Sequence, residues 1–515
     1  MWQRYTFGDA RTIGHYLGVI LLLGAAAMCA PLVIAIVFQE WDAAVRYSKA
    51  IGITFLLGAS LRMLRIVPGH MTRQQAIAVT GFAWIVLALV GAIPLSMSDH
   101  YSTFSDALFD TVSAFTTTDV TIISDLNHLS RADNTWRFVM SFSGGLGLIV
   151  VALSLGIFGG MAGSTLYSSE GRSEHVLPNV VQTARFIFRF TLVLVLVVGA
   201  ILAIVLTLQG MKPMHALLHG IWLAMSSFMT AGLTPMSTSI TYYHSIALEA
   251  ILCIIMIFGS INFAVQSEIW AGRRISFYRD SEVRGAAVWW LVMLVVFMAV
   301  ICNTSSSATG TTGGLGLPTL MRTGLFTFVS TATTTGFSTW PDIQMSGLTP
   351  PGSILVLTLL MAIGGSAGST AGGIKVQRLC IIAKSAYETL KVTASTESAR
   401  IVTSYYHIGR RRLQAPEVRE AMTVTILYIG VYIIGALVCI AFTNNTDALT
   451  AISESVAMAS NSGISAGLCQ AGMPAILKYT YIAEMWMGRL EYVALISLAV
   501  KIFVSVKPRV KKGRS

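Results

Sequence analysis

Charge is what this sequence has least of. Only 11% of its 515 residues are Asp, Glu, Lys or Arg, against about 25% in a soluble domain. With 54% hydrophobic residues and a mean hydropathy of +0.69, the chain belongs in lipid. Cysteine is scarce as well: Cys29, Cys253, Cys302, Cys380, Cys439 and Cys469 are scattered, mostly within apolar runs, and no CxxC pair occurs. These read as small hydrophobes, which argues against a disulfide framework or a thiolate metal site. His215 and His219 are four residues apart but lack a third ligand in the sequence, so packing is expected of them rather than metal binding. No nucleophile–base arrangement and no GxxxxGK[ST] loop is legible, and the chain has no dinucleotide-binding domain of its own. Neither an enzyme nor a resident cofactor is expected.

The net charge of +11 would suit nucleic acid, but the positions of the charges argue against it. They cluster between apolar runs: Arg273, Arg274, Arg279 and Arg284, then Arg410-Arg411-Arg412, then Lys507, Arg509, Lys511, Lys512 and Arg514. Intervening segments hold far fewer, among them Arg46, Lys49, Arg131, Arg137, Lys212, Arg322 and Lys478. This is a positive-inside pattern, and it places both termini in the cytoplasm. Arg4 and Arg11 precede an apolar run as in a signal peptide. That run lacks Asp, Glu, Lys and Arg from Thr12 to Gln39, longer than the roughly 7–15 residues of a signal core. It is a first membrane helix.

Four hydroxyl-rich segments recur along the chain. They are Thr116-Thr117-Thr118-Asp119, Met229-Thr230-Ala231-Gly232, Thr333-Thr334-Thr335-Gly336 and Asn461-Ser462-Gly463, each between long apolar runs. Such a repeat suggests four similar membrane units about one axis. A short hydroxyl–glycine segment can turn its carbonyl oxygens inward and replace a cation's water shell. The candidate ion-binding residues are therefore Thr117, Thr118, Asp119, Thr230, Ala231, Gly232, Thr334, Thr335, Gly336, Asn461, Ser462 and Gly463, around a cation.

The expected fold is an all-α polytopic membrane protein of four helix–pore-loop–helix units and two extra N-terminal helices. Residues 1–70 hold those two helices, near 14–38 and 46–66. Unit one (71–165) has helices near 74–97 and 136–160 around a pore segment at 104–121. Unit two (166–272) has helices near 184–209 and 244–270, with the pore segment at 213–234. Unit three (273–400) has helices near 285–303 and 351–390, with the pore segment at 319–338. Unit four (401–515) has helices near 420–443 and 477–503, a pore segment at 447–465 and a basic tail. Ten spanning helices result. In the weak second helix, Arg46, Lys49, Arg62 and Arg65 are expected to snorkel. Asp110 and Glu454 each lie nine residues before their unit's anchor; either would brace the filter backbone, attract cations, or simply be solvated near the outer interface.

Further motifs accompany the repeat: Gly144-Gly145-Leu146-Gly147, Gly259-Ser260-Ile261-Asn262-Phe263, Arg279-Asp280-Ser281-Glu282, the run Gly364 to Lys375, and Met487-Gly488-Arg489-Leu490-Glu491. Together and in order, they resemble the superfamily of K+ transporters that includes bacterial Trk and Ktr and plant HKT proteins. The Trk-type membrane subunit is most similar, because the two extra N-terminal helices are present. The resemblance implies K+ uptake through a gated pore in the bacterial inner membrane. It also implies a homodimer docked on a ring of nucleotide-binding regulatory subunits, so nucleotide would act only through that partner. The basic cytoplasmic surface suits such a partner or anionic lipid.

Within the resemblance, the run containing Gly364, Gly365, Gly368, Gly372 and Gly373 looks like an intramembrane loop that blocks the pore. Lys375 would add positive charge at the inner mouth. Close helix packing through small residues is the alternative for that run. Arg489 lies deep in the last helix, where it should face the pore or an acid; the resemblance makes it a gate element, and a structural ion pair is the other reading. One departure stands out. The family pattern has glycine at all four anchors, and here Asp119 occupies the first. Its carboxylate either alters selectivity or blocks conduction, or else turns behind the filter to a donor and is tolerated.

Overall fold

A computed structural model of the 515-residue chain describes all but residues 1–3, 67–70, 148–149, 151–152, 154–179, 308–316, 340–350, 397–400, 444–445, 491 and 507–515. Two N-terminal helices come first: Phe7–Ala27, continued by Cys29–Val37, and Trp41–Arg62. Gly18 and Gly58 make their close crossing possible, since a Cβ on Gly18 would lie 2.7 Å from the Gly58 carbonyl oxygen. Arg46 does not snorkel. Its guanidinium forms a two-pronged pair with Asp133 (2.9 and 3.1 Å), to which Tyr47 also donates a hydrogen bond. An inward-facing acid gives the long cation a better site than the membrane surface.

Each unit then repeats a plan: an outer helix, a short pore helix, an extended filter segment and a second helix. The outer helices are Arg73–Ser96, Val180–Leu208, Ser281–Ser307 and Ala415–Phe442. The pore helices are Phe104–Phe115, Pro213–Phe228, Leu317–Ala332 and Ala448–Ala459, of 12, 16, 16 and 12 residues. At 1.5 Å per residue none can cross a core of about 30 Å. Local chemistry sets where they begin: a Thr103–Asp106 capping box, Pro213 at the start of the second, and Asp447 capping the fourth.

The second helices were expected to be continuous in units one, two and four; in units one and two they are not. In unit one the helix Arg131–Leu146 stops where Gly147 takes φ +86°. In unit two Ile246–Gly259 and Phe263–Trp270 meet at 105°. Unit three has Pro351–Ala362 and Val376–Thr393 on either side of the glycine run, and unit four is described as helix over Ala475–Leu490 and Tyr492–Val506, on either side of residue 491. Every break falls at a motif that the sequence had singled out. Most of 148–160, Glu491 and the basic tail lie outside the described residues. Five described helices are long and apolar enough to cross a membrane, or six counting the bent pair. The remaining candidates are short, broken or carry charges, so composition does not count them.

A two-stranded hairpin, Ser404–Tyr406 with Arg410–Arg412, amends the all-helical expectation. Apolar packing divides into a large cluster joining the N-terminal helices with units one and two, a second within units three and four, and a smaller one between units one and four. The filter segments lie at the centre.

Candidate functional site

The four filter segments share one backbone pattern. The anchor residues have positive φ: Asp119 +58°, Gly232 +86°, Gly336 +102° and Gly463 +74°. So do the residues two before them, Thr117 +57°, Thr230 +49°, Thr334 +54° and Asn461 +51°. The residue between, in each case, does not. In an ordinary strand successive carbonyls alternate sides, whereas alternating left- and right-handed dihedrals turn them to one side. Non-glycine residues hold left-handed angles only under tertiary constraint. That constraint repeats too. The amides of Thr118, Ala231, Thr335 and Ser462 donate to the carbonyls of Ser113 (2.9 Å), Ser226 (2.9 Å), Ser330 (2.7 Å) and Ala457 (3.0 Å), each five residues back on its own pore helix.

The segments stand in a ring. A Cβ on Gly232 would lie 2.3 Å from the Thr335 carbonyl oxygen, one on Gly336 2.7 Å from that of Ser462, and one on Gly463 2.3 Å from that of Thr118. Each of these three anchors thus presses on the next unit's filter, and glycine is required at them because a side chain would meet a neighbour's backbone. Asn461 adds a cross-unit bond, donating to Thr118 Oγ1 at 2.9 Å. Asp119, Gly232, Gly336 and Gly463 all line one cavity of about 510 Å³ together with Arg137. The pore helices aim their partly negative C-terminal ends at this ring.

Asp110 and Glu454 brace the filters. Asp110 accepts from Thr121 Oγ1 (2.6 Å) and the Ile122 amide (2.9 Å); Glu454 accepts from Ser465 Oγ (2.7 Å) and the Ala466 amide (2.5 Å). Asp119 behaves differently. Both of its carboxylate oxygens are buried without a hydrogen bond of ordinary geometry, and the Leu233 amide and the Ser141 hydroxyl are donors close enough to act on it.

The glycine run and Arg489 meet the filters' other end. Gly364 and Ile374 are joined by a hydrogen bond of 3.1 Å, closing Gly365 to Gly373 into a loop. This loop is fixed to the break in unit two, where Ser366 and Thr370 amides donate to the carbonyls of Ser260 (3.0 Å) and Gly259 (3.3 Å). Within it, the Thr370 hydroxyl lies 3.2 Å from Thr230 Oγ1 and the Gly372 amide donates to Thr334 Oγ1 at 2.8 Å. Arg489 donates to Thr117 Oγ1 (3.3 Å) and to the carbonyls of Thr370 (2.9 Å), Gly144 (2.6 Å) and Gly145 (2.8 Å). Loop and arginine therefore touch the filters of units one, two and three. Lys375 donates to the Ala371 carbonyl, so its ammonium is turned into the loop.

Thr370 escaped attention in the sequence because it is one small residue among many; its position in the glycine run was the available signal. The motif glycines also gain a reason. A Cβ on Gly144, Gly259 or Gly488 would lie 1.7, 2.2 or 2.1 Å from the carbonyl oxygen that ends its unit's pore helix, on Phe115, Phe228 or Ala459. His215 and His219 are not paired on a metal geometry: His215 Nε2 lies 3.0 Å from Arg131, and His219 Nδ1 lies 2.9 Å from the Tyr243 hydroxyl.

Residues 45–507 match the model of a family described as TrkH, cation transport protein. The chain belongs to that family. It is a multi-pass membrane protein of a cation-transporter family, not an enzyme. Similar proteins include an uncharacterized cation transporter of Methanocaldococcus jannaschii, 27% identical with 99% of each chain covered. The Trk system potassium uptake protein TrkH of Escherichia coli is also 27% identical, over 96% of this chain and 99% of its own. Among solved structures, the potassium transporter TrkH of Vibrio parahaemolyticus superposes with a TM-score of 0.79 over 97% of this chain and 98% of that one. At 24% identity, that likeness concerns the fold.

Proposed function

We propose that this chain is the pore subunit of a K+ uptake system, carrying K+ passively down the membrane potential through a gated path. The observation that carries the reading is the ring of four filter segments, each with the same left-handed pair of residues at the anchor and two before it. A ring of inward carbonyls suits a monovalent cation. The glycine loop and Arg489 would be its gate, since they occupy the inner end of the ring and supply positive charge where a cation would leave. Relatives named as Trk system potassium uptake proteins add support from outside the geometry.

The finer parts of the reading are a homodimer in the cytoplasmic (inner) membrane, both termini cytoplasmic, and control by a nucleotide-binding subunit on the basic face. Co-purification of the dimer alone from cells containing a regulator would count against that last part. A second reading rests on Asp119, whose buried carboxylate borders the cavity at the ring. This carboxylate would shift selectivity toward Na+ or leave the chain a non-conducting assembly or sensor subunit. Flux from liposomes loaded with K+, Na+ or Rb+, with and without Asp119→Gly, separates the readings. K+ and Rb+ flux in the unmodified protein, with permeability ratios unchanged by the substitution, supports the first. Na+ flux, or flux only in the variant, supports the second.

A further inference from the structure

Asp280, Glu282 and His407 converge on the side of the molecule that carries the basic loops. Asp280 and Glu282 are each 1% exposed and His407 is wholly buried. One ligand atom from each, two carboxylate oxygens and an imidazole nitrogen, all lie within 4.8 Å of one another. The three come from two distant segments. Asp280 and Glu282 begin the outer helix of unit three, where Asp280 Oδ1 accepts from the Glu282 amide at 2.8 Å. His407 sits at the turn of the hairpin that joins units three and four, and Ile408 next to it takes φ +57° to bring its amide 3.3 Å from Asp280 Oδ2. His407 Nδ1 lies 3.0 Å from the same oxygen.

The geometry points to a binding site for a divalent metal ion of borderline hardness, such as Zn2+ or Co2+, held by Asp280, Glu282 and His407. The donor set argues for that class: one imidazole with two carboxylates suits these ions, whereas Ca2+ and Mg2+ prefer all-oxygen shells. For metal–ligand bonds of about 2.0–2.2 Å the Asp280–His407 contact must open slightly and any separation near the 4.8 Å limit must contract by about 1 Å. A small shift of the hairpin turn supplies this, because the Asp280–His407 contact gives way to the metal. Metal entry then displaces any proton held between those two groups.

The site also reaches the pore. Glu282 Oε1 accepts from the amide of Ala367, in the glycine loop, at 2.5 Å. A carboxylate can keep that bond with one oxygen and ligate through the other. An ion bound here therefore ties together the hairpin, the start of a membrane helix and the loop beneath the filter. Cys380 is close by, its thiol 3.5 Å from the Ser281 carbonyl oxygen, so the test must exclude a thiolate site.

The experiment is titration of the purified full-length chain with Co2+, read by its visible d–d absorption, followed by displacement with Zn2+. The expected result is one saturable site per chain, chased by Zn2+. Binding should weaken by at least about tenfold in His407→Ala and Asp280→Asn and persist in Cys380→Ser. Thermal unfolding of each variant without metal shows whether it is folded, and the Co2+ and Zn2+ titration of the unmodified chain needs no variant. Absence of a stoichiometric Co2+ spectrum in the unmodified chain overturns the proposal. So does a spectrum that survives in folded His407→Ala, or one abolished by Cys380→Ser alone.

Discussion

At the residue scale, the glycines of this chain divide by what surrounds them. Gly259 faces a backbone carbonyl at a distance no Cβ can accept, because the pore helix ends against it. Gly259→Ala should force apart the unit-two pore helix and its second helix, costing about 1–3 kcal/mol as overpacking does. A clear fall in the thermal unfolding midpoint of the purified protein would register it. Gly52, with nothing within 4 Å of its Cβ position, is the control. Gly52→Ala should leave that midpoint equal or higher, since alanine favours the helix interior. Equal loss in both variants would refute the role assigned to the carbonyl contact. The same reasoning shows what was legible at this scale. Glycine-rich motifs announce a close approach, but not what approaches; the partners of Gly144, Gly259 and Gly488 belong to segments distant in sequence.

At the element scale, the loop Gly365 to Gly373 is held by its own closing bond, by the unit-two break and by Arg489. The arginine is the most exposed to test. Arg489→Gln removes charge-assisted bonds to the carbonyls of Thr370, Gly144 and Gly145. Each such bond contributes about 1.5–3 kcal/mol. If these contacts hold the pore shut, the closed state loses at least that much, and basal cation flux in liposomes should rise roughly tenfold or more. Unchanged or lower basal flux in the folded variant would show that Arg489 braces the structure without closing it. Sequence reasoning located this arginine and the loop separately. Their meeting was not legible, because it depends on how the second helices of units three and four pack about one axis.

The whole molecule is a ring, and a ring needs its first and last units joined. Lys478 of unit four and Asp106 of unit one make a buried salt bridge across that seam, with side chains 7% and 11% exposed. Glu484 and Ser455 bond within unit four beside it at 2.9 Å. Lys478→Met should destabilise the protein by about 1–3 kcal/mol, because it leaves the buried Asp106 carboxylate without its cation and held only by the Thr103 amide and hydroxyl. Adding Asp106→Asn should restore most of that loss, as removing both charges removes the unpaired one. Thermal unfolding of the two variants checks this: a double variant no more stable than Lys478→Met would mean that the pair is not coupled. Arg46 with Asp133 makes a comparable link between the N-terminal helices and unit one, which is why its expected snorkelling does not occur.

What the sequence determined by itself was everything that depends on local order. Apolar runs and their charged edges set the membrane class, hydroxyl–glycine repeats marked the four filters, and caps such as Thr103 and Asp447 set where pore helices begin. Those signals are written within a few residues, so one chain read in order displays them. Only the tertiary structure decided how the second helices of units one, two and three break, which carbonyl each glycine receives, and that the Asp119 carboxylate is buried beside the cavity. It alone brought Thr370 and Arg489 to the filters, and Asp280, Glu282 and His407 to one point. These are contacts between segments often more than a hundred residues apart, and packing, rather than any local preference, chooses the partners.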